Sequence, residues 1–465
     1  MKNVKELKIA YIGGGSKAWA RTLMNDLAKE EQLAGTVLLY DIDYASAKDN
    51  ETIGNALSSR EDIKGKWKYV AKEKIDDALT GADFVFISIL PGTFKEMESD
   101  VHLPEEYGIY QSVGDTCGPA GIIRSLRTVP MYEEFALAIK RCCPNAWVVN
   151  FTNPMTVCVR TLYKVFPEIK AIGCCHEVFG TKRLMVRMLK EKYGIKAQRD
   201  DIKINVFGVN HFTWVNEAHF KDMDLVPMYD EYVKEHPNGT EEEWEDDWIH
   251  LPDANNAQVK FDLYRRYNVI AAAGDRHLAE FCPGNWYLKD KETVAKFGFT
   301  LTTVKWRTDV FTKEKEDKTK ELLSGKPFEL YESGEEMVSQ IKALLGLGDF
   351  VTNVNMPNNG QIPNLPNDVV VETNAYFSGD SIRPIFAGEM PKQISCMVLP
   401  IIAEQEAVVQ AGLTGDYDLA FGAFVNSPNM TAPLDKAREM FDRMLYNTKK
   451  YLPYYEQYVS SKNKK

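Results

Sequence analysis

The segment that most restricts the fold lies near the start of the chain. Leu7-Lys8-Ile9-Ala10-Tyr11-Ile12 reads as a buried strand and runs straight into Gly13-Gly14-Gly15-Ser16, after which Trp19 to about Lys29 has the spacing of an amphipathic helix. A strand, a tight glycine turn and a helix start, in that order, open a dinucleotide-binding unit. Gly13 permits the turn, Gly15 lets the backbone approach a pyrophosphate, and Ala18 supplies the small residue where helix packs on strand. The helix N-terminus then offers free amides and a positive dipole end to phosphates. Asp41 ends the next expected strand, where a carboxylate accepts hydrogen bonds from the adenosine ribose and disfavours a 2′-phosphate, so NAD is expected in place of NADP.

Strands are expected at Leu7 to Ile12, Val37 to Tyr40, Phe84 to Ile89, Trp147 to Asn150 and Ile169 to Gly173, alternating with helical stretches. That alternation is the signature of a parallel sheet wound by helices. The chain, at 465 residues, exceeds what one compact core usually supports. We therefore expect an α/β protein in two parts: an N-terminal Rossmann-like doubly wound domain over 1–195, and an α+β domain over 196–465 for substrate binding, catalysis and oligomerisation. In the second part, Asp201 to Val209 and Phe212 to His219 read as strands. Asn353 to Asn367, rich in asparagine and proline, reads as an irregular ordered loop. Glu389 to about Tyr451 reads as helices that pack back on the first domain.

Composition narrows the function classes. The net charge is −11 and basic residues gather only at the C-terminal end, which argues against nucleic acid. The acidic run Glu241, Glu242, Glu243, Glu245, Asp246 and Asp247 is expected to be a solvated helix start. No uncharged apolar stretch of spanning length and no leader stand out, so a cytoplasmic protein with no membrane association is expected. Eight cysteines in so long a chain form no disulfide framework, and Cys142, Cys143, Cys158 and Cys174 read as small core residues.

Five further motifs carry a resemblance. They are Val113-Gly114-Asp115-Thr116-Cys117-Gly118-Pro119-Ala120-Gly121 with Leu126-Arg127-Thr128-Val129-Pro130 behind it, Asn150-Phe151-Thr152-Asn153-Pro154-Met155, Cys175-His176-Glu177-Val178, Asn210-His211-Phe212-Thr213-Trp214, and Asn364-Leu365-Pro366 with Val371-Glu372. In this order they resemble glycoside hydrolase family 4, over most of the chain. The resemblance implies a homo-oligomer, a homodimer or homotetramer, that needs NAD and a divalent metal, usually Mn²⁺. It implies Cys175 and His211 as metal ligands, Asn150 as a further cofactor-binding residue beside Gly13, Gly14, Gly15, Ser16 and Asp41, and Asp115 and Asn153 as substrate contacts. A lone cysteine and a distant histidine would otherwise read as core residues.

That family departs from two-carboxylate hydrolysis. The implied route removes hydride from C3 of the sugar, which acidifies the C2 proton; a base takes that proton, the metal holds the enediolate charge, and the glycosidic oxygen leaves. Water then adds and the reduced cofactor returns the hydride. The resemblance implies His176 as the acid that assists the leaving group. Asp262 is expected as the C2 base, with Arg265 one helical turn away to orient it and Tyr264 and Tyr267 in reserve.

The Cys-His-Glu-Val form resembles the α-galacturonidase branch, so short α-galacturonides such as pectin fragments are the expected substrates. An α-galactosidase, α-glucosidase or α-glucuronidase of the same family is the nearer alternative. A uronate needs a cation for its C6 carboxylate, and an Arg fork suits it better than Lys. Arg276 and His277 are expected to supply it, with Arg124 as another candidate. A malate- or lactate-type dehydrogenase is the rival from another class, because fold does not settle function, and a nucleotide sensor without activity is the third reading.

Overall fold

Strand β1 (Leu7–Ile12) has five of its six residues buried, which only a central position in a covered sheet allows. Its neighbours β2 (Ala34–Tyr40) and β4 (Phe84–Ile87) both run parallel to it. With β3 (Lys66–Lys72), β5 (Trp147–Asn150) and β6 (Lys170–Gly173) the order is β3-β2-β1-β4-β5-β6, all parallel. That is the doubly wound dinucleotide arrangement, with its switch point between β1 and β4. Alternation does the rest: Ile9, Tyr11, Phe84 and Phe86 feed one core, while Ala10, Ile12, Val85 and Ile87 feed the core on the opposite face. The computed structural model describes residues 3–240, 256–301, 303–455 and 458; the acidic run at 241–247 lies outside the described residues.

A second, antiparallel sheet comprises β7 (Ile202–Val209), β8 (Phe212–Phe220), β9 (Met223–Asp224) and β10 (Ile270–Ala271). The later strands β11 (Phe350–Pro357), β12 (Val370–Ser378) and β13 (Ser381–Pro384) return to the first sheet and extend it antiparallel beyond β6, where Asn355 pairs with Gly173. One sheet is thus drawn from both sides of residue 195. The loop expected from Asn353 begins instead as strand. Its asparagines are held in the ladder because Asn353 Nδ2 and Asn355 Nδ2 donate to the buried Glu372 carboxylate on β12, at 2.6 and 2.9 Å.

The long helices lock the halves together. Gly118–Cys142 packs along Lys392–Thr414 so closely that a Cβ on Gly412 would lie 2.7 Å from Val129 Cβ. Among the described residues Lys392–Thr414 alone has the length and apolar composition to cross a membrane, yet half of that window is buried in the protein. Its Arg160–Glu406 ion pair and its buried Glu404 and Gln405 fit a packed core helix. Helix Leu434–Thr448 reaches back to the first half through Asn447 on Ser99 and Arg443 on Glu106.

Candidate active site

The end of β1 is built to admit a backbone-hugging ligand. Gly13 has φ +90°, and a Cβ there would sit 1.9 Å from Ser88 O, so no other residue fits. Gly13 N and Gly14 N both donate to Tyr40 O, and Asn50 Nδ2 fastens the far side by donating to Gly14 O and Ser16 O. Gly15 N donates to Asp41 Oδ2 at 2.9 Å, and Asp43 N takes the other oxygen at 2.9 Å. Burial raises the Asp41 pKa despite those two bonds. A turn without Cβ atoms, beside a carboxylate that closes β2, fits the adenosine half of a dinucleotide. Asn150 ends β5 nearby, but its side chain is engaged internally: Tyr132 Oη and Thr152 N donate to Oδ1, and Nδ2 donates to Thr152 O.

The second feature lies where β6 and the β7–β8 turn converge. Cys175 Sγ stands 3.6 Å from His211 Nε2. A thiolate and an imidazole on one tetrahedral ion, at ligand distances of roughly 2.3 and 2.0–2.1 Å, would lie about 3.6 Å apart, so the pair fits a shared divalent ion. Ligand atoms of Glu177 complete one group with them, and Asp115 and His277 form a second group with His211; in each group these atoms lie within 4.8 Å of one another. His277 stacks on His211 with ring centroids 3.7 Å apart.

His211 has φ +66°, a strained choice for a side chain of this kind, and the half-buried Glu177 and buried Glu372 hold it there. His211 N and Thr213 Oγ1 donate to Glu177 Oε1 at 2.9 and 3.1 Å, while Asn210 Nδ2 donates to Glu372. Burial, and then the Glu372 charge, push the Glu177 pKa well up. The imidazole is oriented from behind. Thr116 Oγ1 donates to Asp115 Oδ1 at 2.6 Å and lies 2.8 Å from His211 Nδ1. Since the hydroxyl proton goes to Asp115, Nδ1 must carry the proton it shares with Thr116, which leaves the Nε2 lone pair bare toward Cys175. Burial lowers His211 to about 4 and raises the Cys175 thiol well above its usual range. Only an added cation would favour the thiolate here.

Two family models match this chain: Family 4 glycosyl hydrolase over residues 8–191 and Family 4 glycosyl hydrolase C-terminal domain over residues 206–430. The chain belongs to glycosyl hydrolase family 4. It is 58% identical over 452 residues to an alpha-galacturonidase of Thermoanaerobacterium saccharolyticum, covering 97% of each chain. The crystal structure of lplD from Bacillus subtilis superposes with a TM-score of 0.90 at 48% identity, covering 95% of this chain and 100% of that one. A 6-phospho-alpha-glucosidase from gut microorganisms, solved in complex with NAD and Mn²⁺, shares the fold at 21% identity, with a TM-score of 0.80 and coverage of 97% and 99%. Family membership decides against a simple dehydrogenase.

Around the family 4 cluster lies a rim of charge. Burial would raise Asp115, but His211, His277 and Arg124 overturn that and hold its carboxyl below the usual range. Arg124 is buried; its Nε donates to Asn153 O at 3.1 Å and its Nη1 has no partner among the described residues. Asn153 Nδ2 points at Asp115 at 3.5 Å, and its Oδ1 also lacks a partner among the described residues. His176 stacks over Trp19, with Nδ1 3.1 Å from a Glu335 carboxylate oxygen.

Two expectations are corrected by these contacts. Asp262 does not face the cluster: Arg266 and Tyr287 Oη donate to it at 2.7 Å each, and Arg265, expected to orient it, is exposed. Of the two arginines one helical turn on, at i+3 and i+4, it is Arg266 at i+4 that pairs with Asp262. Arg276 is buried, but its fork is turned to the main chain, Nε to Thr300 O at 3.1 Å and Nη2 to Ser112 O at 2.6 Å. The reserve tyrosines pack elsewhere, Tyr264 on Tyr229 and Tyr267 on Trp214. Thr116, Glu335 and Arg307 were not singled out by sequence reading. Nothing local marks their roles, because Thr116 reaches His211, Glu335 reaches His176 and Arg307 reaches Val113, each far away in the chain.

Proposed function

We propose that this family 4 hydrolase cleaves short α-galacturonides, using NAD and a divalent metal, Mn²⁺ first among them. The observation that carries the reading is the set of three guanidinium groups, Arg124, Arg276 and Arg307, gathered electrostatically on Asp115 beside the Cys175–His211 pair. Such a surplus of cations, Arg124 and Arg276 buried and Arg307 partly exposed, suits an anionic sugar. The full-length likeness to an alpha-galacturonidase and the Cys175-His176-Glu177-Val178 motif support the same substrate class.

In this reading Gly13, Gly14, Gly15, Ser16 and Asp41 cradle the cofactor, with Asn150 shaping its floor, and Cys175 and His211 hold the metal. NAD bound in that cradle would supply a reversible hydride acceptor for C3, and a metal held by Cys175 and His211 would supply positive charge to stabilise the anionic sugar. Thr116 fixes the His211 tautomer. His277, half-buried in the cluster with a buried Nδ1 that has no partner among the described residues, accepts the C2 proton in place of Asp262. His176, steadied by Trp19 and Glu335, delivers a proton to the leaving oxygen. Asn153 and Asp115 hold the sugar hydroxyls.

We also propose the division at residue 195, a homodimer or homotetramer and a cytoplasmic setting. The gap between the two matched family models supports the division. Exposed Phe386, Ile385 and Leu399 support self-association, and eight free cysteines support a reducing compartment. Activity is tested on a panel of p-nitrophenyl α-glycosides with NAD, Mn²⁺ and reductant. The galacturonide is expected to be preferred; a preference of roughly tenfold or more for the neutral α-galactoside, on the scale where tenfold is 1.36 kcal/mol, would end the uronate reading.

A further inference from the structure

The cations around Asp115 are not equivalent. Arg124, Arg276 and Arg307 all act on it; Asp100, which also acts on Arg124, is taken by Arg127, and the remaining carboxyl group beside them is Glu280, whose Oε1 accepts Val113 N and Gly114 N at 2.7 and 2.8 Å. Burial pushes Glu280 up to about 7, so near neutral pH it offsets at most part of one guanidinium. Three cations against one full carboxylate and a fraction of another leave positive charge unbalanced in a poorly solvated place, a costly arrangement unless an anion completes it.

Donor geometry says which group is free to meet that anion. Arg276 uses two of its three nitrogens on Thr300 O and Ser112 O. Arg124 uses Nε on Asn153 O and keeps a buried, unpartnered Nη1. Arg307 makes one weak contact, Nη2 to Val113 O at 3.4 Å, and its remaining N–H groups have no partner among the described residues. It stands at the entry of a π-helical turn, Arg307–Thr312, a rare element frequent at functional sites. Arg307 is partly exposed, whereas Arg124 and Arg276 are buried.

We propose that Arg307 is the specificity residue that reads the C6 carboxylate, with its open fork engaging both oxygens and the Nη1 of Arg124 adding charge from behind. The inference rests on the galacturonide reading above. It assigns to Arg307 the role expected of Arg276, which instead fastens the loops at Ser112 and Thr300.

The test compares holoenzyme and its Arg307→Gln variant, with NAD and Mn²⁺, on p-nitrophenyl α-D-galacturonide and on its neutral C6 methyl ester. Loss of one charge-assisted pair should lower kcat/KM for the acid by about 10- to 100-fold, mainly through KM, with the ester altered less than about threefold. Arg307→Lys, which keeps the charge and loses the fork, should fall between. Equal losses on acid and ester, or a weakened NAD Kd as the sole effect, would overturn the assignment. Retained ester cleavage shows that the variant is folded. If the wild type cleaves neither compound, the galacturonide reading fails on its own. Calorimetry with D-galacturonate and D-galactose then judges Arg307 separately: selective loss of acid binding in Arg307→Gln supports it, and unchanged acid binding overturns it.

Discussion

Replacing Thr116 by valine keeps volume and branching while removing one hydroxyl, and its consequences can be worked from the contacts of that hydroxyl. Two contacts vanish, one part-buried at 2.6 Å to Asp115 Oδ1 and one buried at 2.8 Å to His211 Nδ1. Each orphaned group costs on the order of 1–3 kcal/mol, more on the charged Asp115 side. Part of that appears as lower stability. The part that matters here appears in metal binding, because an unbraced imidazole can present Nδ1–H or Nε2–H equally. Removing such an orienting partner weakens metal binding by roughly 10- to 100-fold, or about 1.4–2.7 kcal/mol. The assay titrates Mn²⁺ into metal-free Thr116→Val protein and reads free Mn²⁺ by electron paramagnetic resonance, with Thr116→Ser as the control that restores the hydroxyl. A Kd within about twofold of wild type in the valine variant would refute the argument that the Asp115–Thr116–His211 chain sets the ligand tautomer.

Three other outcomes are expected of the same structure. Gly13→Ala, whose Cβ would lie 1.9 Å from Ser88 O at φ +90°, should abolish NADH binding read by cofactor fluorescence and lower Tm; full retention of binding would remove the glycine turn from the cofactor site. Arg127→Met strands the buried Asp100 carboxylate, to which Arg127 Nη1 now donates at 3.1 Å, and should cost about 3–5 kcal/mol in denaturant unfolding. Glu404 is buried and raised to about 8, so in the folded state it keeps a proton that the unfolded chain releases above about 4.5. Its contribution is therefore fully present below pH 4.5 and is lost as pH rises toward 8. Glu404→Gln should raise Tm relative to wild type by an amount that grows from pH 5 to pH 8, and a difference that shrinks would reverse the assignment.

The parallel sheet was legible because its signals are local. β1 and β5 fall where apolar runs place them, Leu7–Ile12 and Trp147–Asn150, and the glycine turn between strand and helix fixes the winding. β3 was missed because Lys66, Lys68 and Lys72 interrupt its hydrophobicity, as suits a strand at the open edge of the sheet. β11 was missed because Asn353 and Asn355 mimic loop chemistry, and only the distant Glu372 makes them strand residues. The same division holds at the site. The resemblance to family 4, and not spacing, named Cys175 and His211, a pair that lies 3.6 Å apart. It could not see that Arg266 and Tyr287 occupy Asp262, or that Arg276 faces main-chain oxygens while Arg307 keeps open donors, since those facts depend on side-chain direction and not on sequence position.

The claim on which the rest depends is that the bond breaks by oxidation and elimination at the sugar, with C2 losing its proton each turnover. Running the hydrolysis in D₂O and examining the released sugar by proton NMR and mass spectrometry tests this directly. The account predicts deuterium at C2 of the product in wild-type protein and its loss, together with turnover, in His277→Ala. Product that carries only hydrogen at C2 would contradict it, because direct displacement at C1 leaves that position untouched.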